Sequence, residues 1–70
     1  MKYGERLKNY IGLKGRHGGG SSNVIFDATV RDTERTHEII EVGEDYVVVK
    51  DEKSGQTILT PLNIFSLRIR

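Results

Sequence analysis

Val24, Phe26, Ala28 and Val30 alternate with Ile25, Asp27, Thr29 and Arg31, the period-two pattern of a strand with one buried face. Asp32-Thr-Glu-Arg35 reads as the turn that ends it, and Thr36 to Val42 resumes the alternation, except that Ile39 and Ile40 are adjacent and claim both faces. Such a doublet is expected where a strand bends and serves two parts of a curved sheet. Gly43-Glu-Asp45 is a tight turn, and Tyr46 to Lys50 is the next strand, whose Val47-Val-Val49 run predicts burial on both sides. Asp51-Glu-Lys-Ser-Gly55 is a charged hairpin loop leading to a strand over Gln56 to Thr60. Pro61 then removes a ladder donor and bends the chain, which a sheet tolerates only at an edge or a turn, and Ile64 to Arg70 closes the sheet.

The first third of the chain has another period. Tyr3, Leu7, Tyr10 and Ile11 recur at helical spacing, with Lys2, Arg6 and Asn9 on other faces, and Gly12 supplies a stop. A helix over about residues 3–11 is too short to persist alone in water, so its apolar stripe is expected to cover an open mouth of the sheet. Between helix and strands lie Gly15 and Gly18-Gly-Gly-Ser-Ser-Asn23, read as a glycine-rich mobile loop over residues 15–23. The run lacks the lysine and the following helix that make a phosphate cradle specific, and a flexible linker is the expectation. The pattern as a whole predicts a single domain over residues 1–70, mainly β: a short N-terminal helix and a small, strongly bent five-stranded barrel over residues 24–70.

Length makes assembly part of that picture. A domain of 70 residues buries a small fraction of its surface, and the absence of cysteine removes both a crosslink and a thiolate. Oligomerisation is the remaining staple. The 11 basic against 10 acidic side chains leave a formal charge of +1, far from the excess of a duplex-DNA binder, so no duplex DNA is expected as a partner. The distribution is uneven, with Lys2, Arg6, Lys8, Lys14 and Arg16 near the start against Glu5, and most acids between Asp32 and Glu52. Two solvated faces explain this more simply than a basic end meeting an acidic middle across a subunit contact. No long apolar run occurs and the first eight residues are charged, so neither a membrane span nor a signal peptide is expected, and the cytoplasm is the expected location.

Candidate chemistry is sparse. His17 and His37 are the only residues suited to general-base work near neutral pH, one in the glycine-rich run and one on a strand, and Ser21 and Ser22 read as loop residues. Asp51-Glu-Lys-Ser-Gly55 has too few carboxylates for a calcium loop. No enzymatic activity, cofactor or metal is expected. Small barrels do bind single-stranded nucleic acid by stacking and by loop hydrogen bonds, without large net charge. Tyr46, beside the Gly43-Glu-Asp45 turn, is the stacking candidate, or else a core or subunit-contact tyrosine. Asn63 can accept from and donate to a base edge, or simply form the turn before the last strand.

The order of helix, bent strand, Val42-Gly-Glu-Asp-Tyr-Val-Val-Val49, charged hairpin and Thr60-Pro-Leu-Asn-Ile-Phe-Ser-Leu67 resembles the Sm-like (Lsm) family, as a divergent member. The resemblance implies a helix-capped five-stranded barrel whose fourth strand pairs with the fifth of a neighbour, closing a homo-oligomeric ring. Here that would join the Gln56 to Thr60 edge of one copy to the Ile64 to Ile69 edge of the next. It also implies single-stranded RNA binding at pore-side turns. With Val47-Val-Val49 laid on the apolar triplet of the family's first motif, the Met-Asn pair falls on Asp45 and Tyr46, and Thr60-Pro-Leu-Asn63 occupies the place of the Arg-Gly-Asn/Asp signature. Asp45, Tyr46, Leu62 and Asn63 are therefore the candidate RNA-binding residues, although the signature's arginine has no counterpart. The alternative is a protein-interaction or scaffold ring without RNA, in which the same positions pack subunits.

Overall fold

In the computed structural model, which describes residues 2–20 and 22–70, the expected helix forms as α1 (Tyr3–Leu7) and continues as a 3-10 turn over Lys8–Tyr10. Ser21, expected in the glycine-rich loop, lies outside the described residues. Leu7 is the residue the helix commits to the core, at 1 % exposure, and Tyr10 packs at its margin. The Tyr3 hydroxyl donates to the Phe65 carbonyl at 2.9 Å and ties the helix to the last strand.

The segment after the helix corrects the expectation of a loop over residues 15–23 and of five strands. Lys14–Gly19 is a strand, β1, and with β2 (Val24–Asp27), β3 (His37–Val42), β4 (Tyr46–Asp51), β5 (Thr57–Pro61) and β6 (Phe65–Arg68) it builds a six-stranded sheet in the order β5-β4-β3-β1-β2-β6. All neighbours are antiparallel except β2 and β6, which run parallel. β1 changes partner along its length: Lys14 and Gly15 pair with Glu38 and His37 of β3, whereas Arg16 to Gly19 pair with Asp27 to Val24 of β2. Glycine is there because β2 passes so close. A Cβ on Gly15 would lie 2.6 Å from the Asp27 carbonyl oxygen and 2.8 Å from the Phe26 ring. In a strand, such glycines mark close backbone approach, and a reading based on chain freedom alone misses that use.

The expected bend at Ile39-Ile40 is a β-bulge. Ile39 faces Val49 and Glu41 faces Val48, leaving Ile40 as the extra residue, so Ile39 is fully buried and Ile40 turns outward. Val47 and Val49 are fully buried while Val48 is half-buried, so β4 has one covered face rather than two. The strand begun at Val24 ends at Asp27, earlier than its alternation suggested.

One apolar cluster joins residues from both halves of the sheet: Leu7, Val24, Phe26, Ile39, Val42, Val47, Val49 and Phe65. The sheet therefore folds back over itself at β1, with Phe26 and Phe65 at a centroid distance of 6.1 Å across the parallel pair. At the rim of this core Asp27 accepts from the Thr29 amide at 2.9 Å and from the Thr29 hydroxyl at 2.5 Å. Arg68 and Arg16 approach the same carboxylate at 3.7 and 4.0 Å, tying β6 and β1 to β2. The two Thr29 donors, helped by the arginine charges, hold this carboxyl below its usual range.

The strands at the two ends of the sheet are β5 and β6, the pair the sequence marked as edges. Among the described residues no helix is long and apolar enough to cross a membrane.

Candidate functional site

Two turns meet at one end of the fold. The β3–β4 turn is closed by the Gly43 amide donating to the Tyr46 carbonyl at 2.9 Å, with the Tyr46 ring lying where a side chain at residue 43 would otherwise stand. The turn after Pro61 is a 3-10 turn over Leu62–Ile64, and the Leu62 amide donates to the Asp45 carbonyl at 2.8 Å. That bond locks the two turns together. Tyr46 and Pro61 face each other across β4 and β5, so the register of the hairpin sets the position of both turns.

The junction opens into a concavity of about 520 Å³ lined by Tyr3, Glu44, Asp45, Pro61, Leu62 and Asn63. Three of the four candidate residues, Asp45, Leu62 and Asn63, therefore share one hollow. Tyr46 does not join them. It lies in a separate, adjoining depression of about 380 Å³ with Asp45, Leu59 and Pro61. Its hydroxyl donates to the Glu41 carboxylate, and that bond, together with the Glu41 charge, pushes the phenol above its ordinary value. The ring is pinned at both ends, by Gly43 below and by Glu41 at the tip, a rigid platform of the kind that stacking uses.

Tyr3 is the site residue that sequence reasoning did not assign. Its ring lines the Asn63 concavity while its hydroxyl reaches the Phe65 carbonyl, and burial pushes its phenol up. Its place in the helical stripe predicted only that it helps cover an open mouth of the sheet, and the docking of α1 beside the Leu62 turn brings it to this hollow.

The electrostatics limit the chemistry. Glu44 and Asp45 line the hollows and Glu41 holds the Tyr46 hydroxyl, and among the described residues no cation lines either hollow. Lys2 and Lys8 border only the neighbouring cleft shared with Gly43, Glu44 and Leu62. Such a surface can hydrogen-bond and stack against a flat, uncharged group, but it gives a phosphate chain little attraction. The two histidines stand elsewhere, at the far end of β4, where His37 pairs with Asp51. Among the described residues no group of three or more His, Cys, Asp or Glu side chains could hold a metal ion. Comparison with protein-family models, curated proteins and solved structures finds no match to this chain.

Proposed function

We propose that this protein is a non-enzymatic, Sm-like barrel module that assembles with copies of itself into a ring, β5 of one copy pairing with β6 of the next. The observation that carries this reading is the state of β5. It ends the sheet with one side unpaired, has no charged residue over Thr57–Pro61, and leaves Leu59 68 % exposed. Natural edge strands are usually protected by lysine, by a bulge or by a covering element, and among the described residues Pro61 at the very end of β5 is the one such device. A second copy supplies the missing cover. Joining β5 to β6 is a head-to-tail contact, which closes into a ring when the rotation between copies returns to the start and otherwise runs on as an open filament, whereas β5 on β5 would stop at a dimer.

Light scattering on the purified protein at micromolar concentration tests this directly. A mass several times 7.9 kDa is the expected result. Twice that mass would replace the ring with an edge-paired dimer, and the mass of one chain would remove self-assembly altogether.

A second reading adds single-stranded RNA as the ligand, favoured by the meeting of Asp45, Leu62 and Asn63 in one hollow next to the pinned Tyr46 ring. The scaffold reading draws its support from the carboxylates around those same hollows. Titration with labelled oligo(U) and oligo(A) at low and moderate salt separates the two. If bases stack there, Tyr46→Ala should weaken binding by roughly ten- to a hundredfold, from ~1–3 kcal/mol per stacked base. Asn63→Ala should weaken it less, with a shallow salt slope in both cases because no phosphate cradle is present. Absence of binding leaves the scaffold.

A further inference from the structure

The junction of β1 with β3 is the shortest ladder in the sheet. Two residue pairs form it, Lys14 with Glu38 and Gly15 with His37, whereas every other neighbouring pair of strands has four or five. It is extended by the Ile39 amide donating to the Leu13 carbonyl at 3.1 Å and the Gly12 amide donating to the Ile39 carbonyl at 2.7 Å. Across this seam lie the only two imidazoles of the chain, His17 of β1 and His37 of β3, with ring centroids 5.4 Å apart and planes tilted by 31°.

The two rings are not equivalent. His37 has partners at both nitrogens: Nδ1 lies 2.8 Å from the Thr36 hydroxyl, and Nε2 lies 3.9 Å from the Asp51 carboxylate. His17 Nε2 is buried and has no hydrogen-bond partner among the described residues. A neutral His17 carrying its proton on Nδ1 leaves there an unpaired acceptor, a modest cost. A protonated His17 would bury an unpaired N–H donor and a positive charge beside its neighbour.

We propose that the His17–His37 pair makes the β1–β3 seam an acid-operated hinge, closed while His17 is neutral and opened when His17 takes a proton. The surrounding charges do not relieve it. From β1, Arg16 is held by Asp27 of β2 and by Glu34 of the turn before β3, and Lys14 is held by Glu52 beyond β4. From β3, Glu38 lies opposite Lys50 of β4 and Lys14 of β1. Among the described residues Asp51 is the one carboxylate within ion-pair distance of an imidazole, and it serves His37.

Burial, and after it the charge that His37 can carry, lowers the His17 pKa from its ordinary value. For a base whose folded pKa is depressed, the unfolded chain binds the proton first. Stability is then complete above the ordinary histidine value of about 6.5 and is lost as pH falls from there toward the folded value. Asp27 and Asp51 titrate below this window, because hydrogen bonds, chiefly from Thr29 to Asp27 and from the Lys53 amide to Asp51, hold both carboxyls below their ordinary range.

Residue-resolved amide exchange, expressed as protection factors so that the intrinsic pH dependence cancels, tests the hinge between about pH 7.5 and about pH 5. Protection at the Gly12 and Ile39 amides should fall progressively across this range, while the β4–β5 amides keep theirs. In His17→Phe, which keeps a flat ring without a proton site, the fall should vanish. Constant protection at Gly12 and Ile39 in the wild type, an equal fall in His17→Phe, or an equal fall across β4–β5 would each overturn the hinge. Should His17→Phe fail to fold, the His17 ring resonances of the wild type take its place. They must titrate together with the seam amides, and a mismatch overturns the proposal.

Discussion

Phe26→Ala is expected to remove about 3–5 kcal/mol of folding stability, the usual cost of deleting a fully buried phenylalanine. The whole domain has roughly 3.5–10 kcal/mol to lose, from 0.05–0.15 kcal/mol for each of its 70 residues, so the variant should lose from about a third to all of its stability. The site leaves little room for collapse. Phe26 is fully buried, its ring leans on Phe65 and on the bare backbone of Gly15, and it stands in the half of the sheet that β1 folds over the valines of β4. Urea melts followed by circular dichroism measure the loss, at several protein concentrations because assembly adds its own stabilisation. The comparison is Leu59→Ala below the assembly threshold, expected within about 0.5 kcal/mol of wild type because that side chain is largely exposed in one copy. A loss under about 1 kcal/mol for Phe26→Ala would mean that the two halves of the sheet do not share one core.

Leu59→Lys is expected to return the assembly to single chains of 7.9 kDa with an unchanged circular dichroism spectrum. The substitution places on β5 the charge by which natural edges avoid pairing, next to a β6 edge that already carries Arg68. Burial of a leucine is worth about 1.5–3 kcal/mol, so each contact should weaken by roughly ten- to a hundredfold, and a ring repeats that loss at every contact. Ile40→Lys is the control. Ile40 is also exposed and apolar, at 38 %, but it sits in the bulge of β3, which has neighbours on both sides. An unchanged mass for Leu59→Lys would mean that copies meet elsewhere than at β5. A fall in mass for both variants would point to the outer face of the sheet rather than its edge.

These expectations rest on features of unequal visibility in the chain. The strands from His37 onward follow from alternation and turn chemistry, and the Ile39-Ile40 doublet announced the bulge that lets one side chain enter the core and the next leave it. The β5 edge was legible too, because Pro61 is tolerated only at an edge or where the strand turns. Of the site, Asp45 and Leu62 were named only through a resemblance to known motifs, whereas Asn63 could be named from the turn before the last strand. Their meeting could not, since the bond from the Leu62 amide to the Asp45 carbonyl connects residues 17 positions apart, through the register of the β4–β5 hairpin. Tyr46 was named with them, yet its hydroxyl is drawn to Glu41 on the outer face of the neighbouring strand.

What the amino-acid order determined by itself is local: where the chain alternates, where it turns, which faces are apolar, and that no cysteine is present to help so short a domain. What only the tertiary structure decided is the use of its glycines and histidines. Gly15, Gly18 and Gly19 are poor strand formers taken alone, and become a strand because β3 pairs with Gly15 and β2 with Gly18 and Gly19, while at Gly15 β2 lies too near for a side chain. The two imidazoles, twenty residues apart in sequence, face each other only because that strand exists. Local preference is a matter of tenths to about 1 kcal/mol per residue, and a ladder continued from one neighbouring strand to the next outweighs it.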